Sequence, residues 1–226
     1  MLSLSSEESR ALLALPPPDT TVNDALLAAL ALAIAHWNTG HGGGSRLMAL
    51  TVPVNLRPRE WGLEVVGNFA SWVTVWIRPR PSEQLSSVIE RVGARTRAIK
   101  RDGIRGIAID MLELPARLPI GVKRCLQYLI PLTGSVVVDT ASLSNLGGLD
   151  GLPSQFEGAN AEVGFSPPGR MPLGLSIGVV TLEDRLHLTL RYRHAQFGKA
   201  AARSFMTLYR DVLRGHMSMP PLTAQT

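Results

Sequence analysis

The chain has 226 residues, 45% of them hydrophobic, and a formal net charge of +5. That length fits one large domain or two small ones, and so much apolar material can bury a sizeable core, which excludes disorder. The single cysteine, Cys125, excludes a disulfide framework and a cysteine-rich metal site and points to a reducing compartment.

The chain opens MLSLSSEESR, with glutamates where an export signal needs positive charge, so a cytoplasmic protein is expected. Ser5 with Glu8 has capping-box spacing and starts a helix to about residue 15, stopped by Pro16, Pro17 and Pro18. Thr21 with Asp24 repeats the box and opens a second helix to about Trp37. In it Leu26, Leu27, Leu30, Ile34 and Trp37 fall at helical spacing and alanines fill most other faces, so burial nearly all round is expected. Its longest apolar run, 25–35, is too short to span a bilayer. After a glycine-rich loop, 39–45, the runs 47–56 and 69–77 predict strands. The second has Trp72, Val73, Val75, Trp76 and Ile77 on both faces, which suits the inside of a covered sheet.

From Ser82 the period becomes helical, with Leu85, Val88, Ile89, Val92, Thr96 and Ile99 on one face, and Asp102-Gly103 ends that helix. Residues 104–114 and 122–130 predict two more helices. Valine-rich 135–143 predicts a strand, and 173–182 with 185–193 a hairpin across Glu183-Asp184. There Leu186, Leu188, Leu190 and Tyr192 alternate with His187, Thr189, Arg191 and Arg193, placing His187 and His194 on the exposed side. A last helix, 199–214, buries Ala201, Phe205, Leu208, Val212 and Leu213, and a disordered tail, 216–226, follows. The order predicts a single α/β (α+β) domain over 1–215, a two-layer sandwich of a mixed β-sheet with helices mostly on one face.

Three constellations invite a chemical reading. His41-Gly42-Gly43-Gly44 matches a lipase oxyanion loop, Gly174-Leu175-Ser176-Ile177-Gly178 matches the G-x-S-x-G elbow, and Asp184 with His187 or His194 completes a triad order. The elbow requires a helix after the serine, yet Ile177, Val179, Val180 and Thr181 continue a strand, so a hydrolase using Ser176 is a distant alternative. The five histidines, at 36, 41, 187, 194 and 216, show no ligand spacing, and no metal site is expected. Of the 23 basic residues only Lys100, Lys123 and Lys199 are lysines; with 5% aromatics and no stacking residues among them, nucleic acid is not the expected partner.

Four strings remain: Thr21-Val22-Asn23-Asp24-Ala25-Leu26-Leu27-Ala28-Ala29, Val52-Pro53-Val54-Asn55-Leu56-Arg57-Pro58, Val66-Gly67-Asn68-Phe69-Ala70, and Ser142-Leu143-Ser144-Asn145-Leu146-Gly147. In order and spacing, over about residues 1–214, they resemble the C-terminal lobe of condensation-domain and CoA-dependent (chloramphenicol-acetyltransferase-like, wax-ester-synthase-like) acyltransferases. The resemblance implies one of two lobes flanking a cleft, the catalytic histidine of HHxxxDG lying in the other. That motif is absent here: His36 is followed by Gly40 four residues on and His41 by Ser45. It implies no catalytic residue in this chain and no tightly bound cofactor, but acyl-CoA or an acyl carrier thioester as co-substrate. Asn23, Asp24, Arg57, Asn68, Ser144 and Asn145 would line the cleft or serve the motif structurally, and Arg91, Arg95 and Arg101 would dock CoA or an acidic carrier protein. The implied partner is the N-terminal HHxxxDG lobe, as a separate chain or segment, or a second copy; the alternative is a binding or assembly domain that kept the fold without the chemistry.

Overall fold

The structure, a computed structural model, describes residues 1–61, 65–67, 69–80, 82–101, 119–129, 139–149, 155–156, 159–160, 162–167 and 175–215. Asn68, the helix expected over 104–114, the start of the strand expected from 135 and the tail expected from 216 lie outside these residues.

Among the described residues the helices are α1 (Ser6–Ala14), α2 (Val22–Gly40), α3 (Leu85–Arg101), α4 (Ile120–Leu129) and α5 (Lys199–Leu213). The strands are β1 (Leu2–Ser3), β2 (Met48–Asn55), β3 (Ala70–Ile77), β4 (Ala141–Gly148), β5 (Gln155–Phe156), β6 (Ala159–Asn160), β7 (Leu175–Leu182) and β8 (Arg185–Tyr192). Both capping boxes form: the Ser5 and Thr21 hydroxyls accept from the Glu8 and Asp24 amides, and the two carboxylates reach back to the cap amides. The Glu183-Asp184 turn closes the β7–β8 hairpin with φ of 47° and 58°, the positive values a two-residue hairpin loop demands.

Six strands make one mixed sheet in the order β1-β8-β7-β4-β2-β3, while β5 and β6 pair separately. Strands β2, β4 and β7 run parallel and the other pairings are antiparallel. Register divides the side chains cleanly. Leu50, Val75, Leu143, Ile177 and Leu188 share one face and belong to a single core with α2, α3 and α5. From Asp24 through Ala35 every α2 residue is buried, because this helix is packed against α3, α5 and the sheet together. Inside that core the Tyr209 hydroxyl donates to the Leu26 carbonyl at 3.1 Å, tying α5 to α2. Full burial pushes this phenol well above the ordinary tyrosine range.

Three expectations need correction. Among the described residues, strand β3 ends the sheet order instead of lying inside it. Trp72 and Trp76 are half-buried there, and such large rings shield much of an edge strand's surface without a neighbouring strand. The fourth strand runs on to Gly148, past the expected end at 143, so Ser144 and Asn145 are strand residues. His187 is not exposed: it is 1% accessible and shares a 2.9 Å hydrogen bond with the Ser3 hydroxyl across the β1–β8 ladder. Alternation along β8 marks the polar side correctly, but residues 162–167 cross that side of the sheet. Phe165 and Pro167 lie against Gly178, and Gly164 lies against Thr189 and Met1.

Candidate functional site

The polar motif residues converge where two parallel strands part. β2 and β4 pair only at Leu50↔Ala141 and Thr51↔Ser142, after which β2 pairs with β3 alone. Pro53 stands beyond the divergence, where the amide it lacks is not needed for a second ladder. The C-terminal ends of parallel strands are where open α/β sheets place their ligands. The N-terminus of α2 arrives at the same opening. There the Asn145 side-chain amide donates to the Asn23 side-chain oxygen at 2.8 Å, joining β4 to the first turn of the helix. The Asn145 oxygen accepts in turn from the Gly147 amide at 2.9 Å. Gly147 has φ of 78°, and the β4–β7 register shifts between Asn145 and Gly148. The Ser-Asn-x-Gly string is thus a strand followed by a glycine-permitted bulge that aims the asparagine at α2.

Beside this pair is a cleft of about 160 Å³ lined by Thr21, Asn23, Asp24, Leu27, Val52, Pro53, Val54, Val73, Thr96, Ile99 and Lys100. Its walls are largely aliphatic, with Asn23 and Lys100 supplying hydrogen-bond donors. Asp24 is 3% exposed and its carboxylate is fully engaged. One oxygen accepts from the Thr21 amide and hydroxyl at 2.8 Å each, and the other from the Thr96 hydroxyl at 2.8 Å. Asp24 therefore caps α2 and fastens it to α3, leaving Asn23 as the member of the Asn-Asp pair that faces β4.

The other predicted residues divide. Ser144 points to the opposite face of the sheet from Asn145, beside Gly178. Arg57 stacks over Phe69, 4.4 Å from the ring centroid, and its guanidinium donates to the Val65 carbonyl, so it clamps the loop between β2 and β3. Arg91 pairs with Glu83 at 2.9 Å and bonds the Arg78 carbonyl at 3.3 Å, and Arg95 is exposed one turn on. Arg101 falls on a different stripe of α3, so the three arginines do not form one patch. Lys100 and Thr96 were missed as cleft residues: Lys100 looks like one more cation on a basic helix, and only its rarity among arginines marks it.

The triad dissolves in the fold. The Ser142 hydroxyl donates to that of Ser176 at 2.8 Å near the start of β7, and Ser176 is 2% exposed. His187 bonds Ser3 on β8, and His194 packs edge-on against Tyr192. His41 stacks on Trp37 at 4.3 Å at the far end of α2. Burial holds the half-buried His36 below the ordinary histidine value. Three strand spacings, roughly 14 Å, separate β8 from the β2 side of the opening. Among the described residues, no group of three or more His, Cys, Asp or Glu side chains gathers to hold an ion.

The fold is shared with a defined set of enzymes. The epimerization domain from the third module of tyrocidine synthetase B superposes with a TM-score of 0.65 at 20% identity, over 95% of this chain and 46% of that one. Trichothecene 15-O-acetyltransferase of Fusarium sporotrichioides gives 0.70 at 12% identity, over 95% and 46%. The first condensation domain of the CDA synthetase gives 0.58 at 15%, over 96% and 44%. This is the fold of one lobe of the condensation-domain and CoA-dependent acyltransferase superfamily. No model of a known protein family matches the chain. An uncharacterized protein of Mycobacterium tuberculosis is 35% identical over 215 residues, 94% of this chain and 50% of that protein. The chain thus spans about half the length of the curated relatives it matches.

The Asn23–Asn145 bond is testable directly. Replacing each residue by alanine, singly and together, should give a coupling energy of about 1 kcal/mol in a double-mutant cycle read by urea unfolding. A coupling near zero would mean that the two amides meet without stabilising the opening.

Proposed function

We propose that this chain is the C-terminal lobe of a condensation-type acyltransferase. It forms one wall of a cleft in which an acyl thioester meets its acceptor, and the general base comes from a histidine outside these 226 residues. The observation that carries this reading is the division of lengths: nearly all of the chain superposes on somewhat under half of two enzymes of that fold. The exposed apolar side chains support it. Trp61, Val65 and Val66 follow β2 and Leu146 lies near the end of β4, so all four belong to the C-terminal ends of the two strands that part at the Asn23–Asn145 pair. A second lobe docked there would cover them and close the opening.

In this arrangement the parted ends of β2 and β4 receive the thioester arm. Asn23 offers amide donors to its carbonyls, and the aliphatic walls exclude water, which strengthens every polar contact inside. Proton removal from the acceptor hydroxyl or amine requires a base within hydrogen-bond reach of it, and that base is the other lobe's histidine.

The test is reconstitution. The chain alone, given acyl-CoA or an acyl carrier thioester, should transfer no acyl group. Mixed with a separately expressed HHxxxDG lobe from a homologous two-lobe protein, it should bind and restore transfer. Robust turnover by the chain alone defeats the proposal. Stable binding to the second lobe without turnover for any thioester favours the assembly-domain alternative.

A further inference from the structure

On its β8 side the sheet is bordered by β1. β1 has two residues, paired as Leu2↔Leu188 and Ser3↔His187. Three further bonds extend that attachment: the Leu4 amide to the Leu186 carbonyl at 2.9 Å, the Leu186 amide to the Ser9 hydroxyl at 3.0 Å, and the Arg185 guanidinium to the Leu4 carbonyl at 3.4 Å. At the centre of these is His187, almost wholly inaccessible and hydrogen-bonded to Ser3 through Nδ1 at 2.9 Å. Residues 162–167 close over the same face, with Gly164 packed between Met1 and Thr189. The Thr189 hydroxyl, two residues along the strand on the same face, is buried without a partner.

We propose that neutral His187 is the pin of a pH-sensitive latch, which holds β1 and residues 162–167 against the sheet and lets them go on acidification. A proton on the imidazole would place a cation in a site closed to water. Each neighbouring element meets that charge differently. Its own strand presents the cation Arg185, the crossing segment presents the carboxylate of Glu162, β1 presents a neutral hydroxyl, and β7 presents the apolar Val180. Burial, then Arg185, hold the imidazole below its ordinary value, and Glu162 opposes them. The sign follows. The docked state keeps His187 neutral, whereas the released state exposes it to water and takes up a proton below about pH 6.5. Docking is therefore unaffected above that pH and weakens as pH falls from there towards the lowered value of the docked state. Release bares Leu4, which is 2% exposed, and the outer backbone groups of β8, an edge open to pairing with another strand.

Hydrogen–deuterium exchange by mass spectrometry on the full chain tests this. After correction for intrinsic rates, peptides covering residues 1–5 and 185–190 should lose about tenfold in protection between pH 7.5 and 5.5. A peptide from the middle of α2 should hold its protection, which separates release from global unfolding, to which the half-buried His36 would contribute with the same sign. His187→Gln should abolish the acid response of the two edge peptides, and Glu162→Gln should leave its onset in place but deepen the loss at pH 5.5, because without the offsetting carboxylate the docked imidazole is held lower still. Should His187→Gln not fold, Ser3→Ala serves in its place. With the imidazole retained, its edge peptides should be less protected at both pH values and keep the acid step. The latch is refuted by pH-independent protection in the wild-type edge, by an unchanged acid response in His187→Gln, by loss of the step in Ser3→Ala, or by α2 opening in parallel.

Discussion

Gly178→Ala should destabilise the protein by about 3 kcal/mol, the largest loss expected of any single methyl group added to this sheet. A Cβ at position 178 would stand 1.9 Å from the Phe165 carbonyl oxygen and 2.8 Å from Pro167. The first obstacle is backbone, so no side-chain rotation relieves it; either residues 162–167 lift or β7 shifts. Lifting them uncovers Val180 and His187 and leaves the Pro167 carbonyl without its bond from Arg191. Equilibrium urea unfolding should show a lowered midpoint with an unchanged slope. Gly44→Ala is the control: nothing lies within 4 Å of a Cβ there, so its effect should stay within about 0.5 kcal/mol. Equal effects at the two positions would mean that the crossing segment does not lie on β7 as described. The same substitution separates the elbow motif from its meaning, because Gly178 serves chain packing and not a serine nucleophile.

Asp24→Ala should cost about 3 kcal/mol, by a different route. The carboxylate is buried and accepts from the Thr21 amide and hydroxyl and from the Thr96 hydroxyl. Its removal leaves a helix cap unsatisfied and buried donors unpaired; caps are worth about 1 kcal/mol and each orphaned buried donor about 1–3 kcal/mol. Asp24→Asn keeps the shape and one acceptor oxygen and should lose roughly half as much. A cycle combining Asp24→Ala with Thr96→Ala should show coupling of at least about 0.5 kcal/mol, since both side chains contribute to one α2–α3 joint. Additive losses would show that the joint is held by apolar packing alone. Because Asp24 also lines the cleft, the proposed acyl transfer by the reconstituted lobes should fall with it, but in proportion to folded protein. Asn145→Ala should lower transfer while leaving more of the fold intact.

Much of the architecture was legible in order and period. The two capping boxes start α1 and α2 where Ser5 and Thr21 indicated, because a cap is a local bond between residues three apart. The hairpin across Glu183-Asp184 and the last helix also stand where alternation and helical spacing placed them. Partners remote in sequence were not legible. Nothing local tells that Asn145 will meet Asn23, 122 positions away, or that Thr96 will reach Asp24, 72 positions away. For the same reason nothing local tells that the Arg57 guanidinium will lie over the face of Phe69. On the last helix Tyr209 joins Phe205 and Val212 in the core because α2 offers the Leu26 carbonyl to its hydroxyl.

The residues by themselves determined the elements, the mixed sheet with its helical layer, the resemblance in fold to a condensation-type lobe and the absence of an HHxxxDG motif. All of these depend on bonds between near neighbours or on the periodic placement of apolar side chains, which a linear string records. Tertiary structure alone decided that His187 is buried, that β3 ends the sheet, that Gly178 must lack a side chain and that the Asn-Asp pair divides its work between a cleft and a helix joint. Each of those depends on which distant segment comes to lie against the residue, and period and composition carry no record of that.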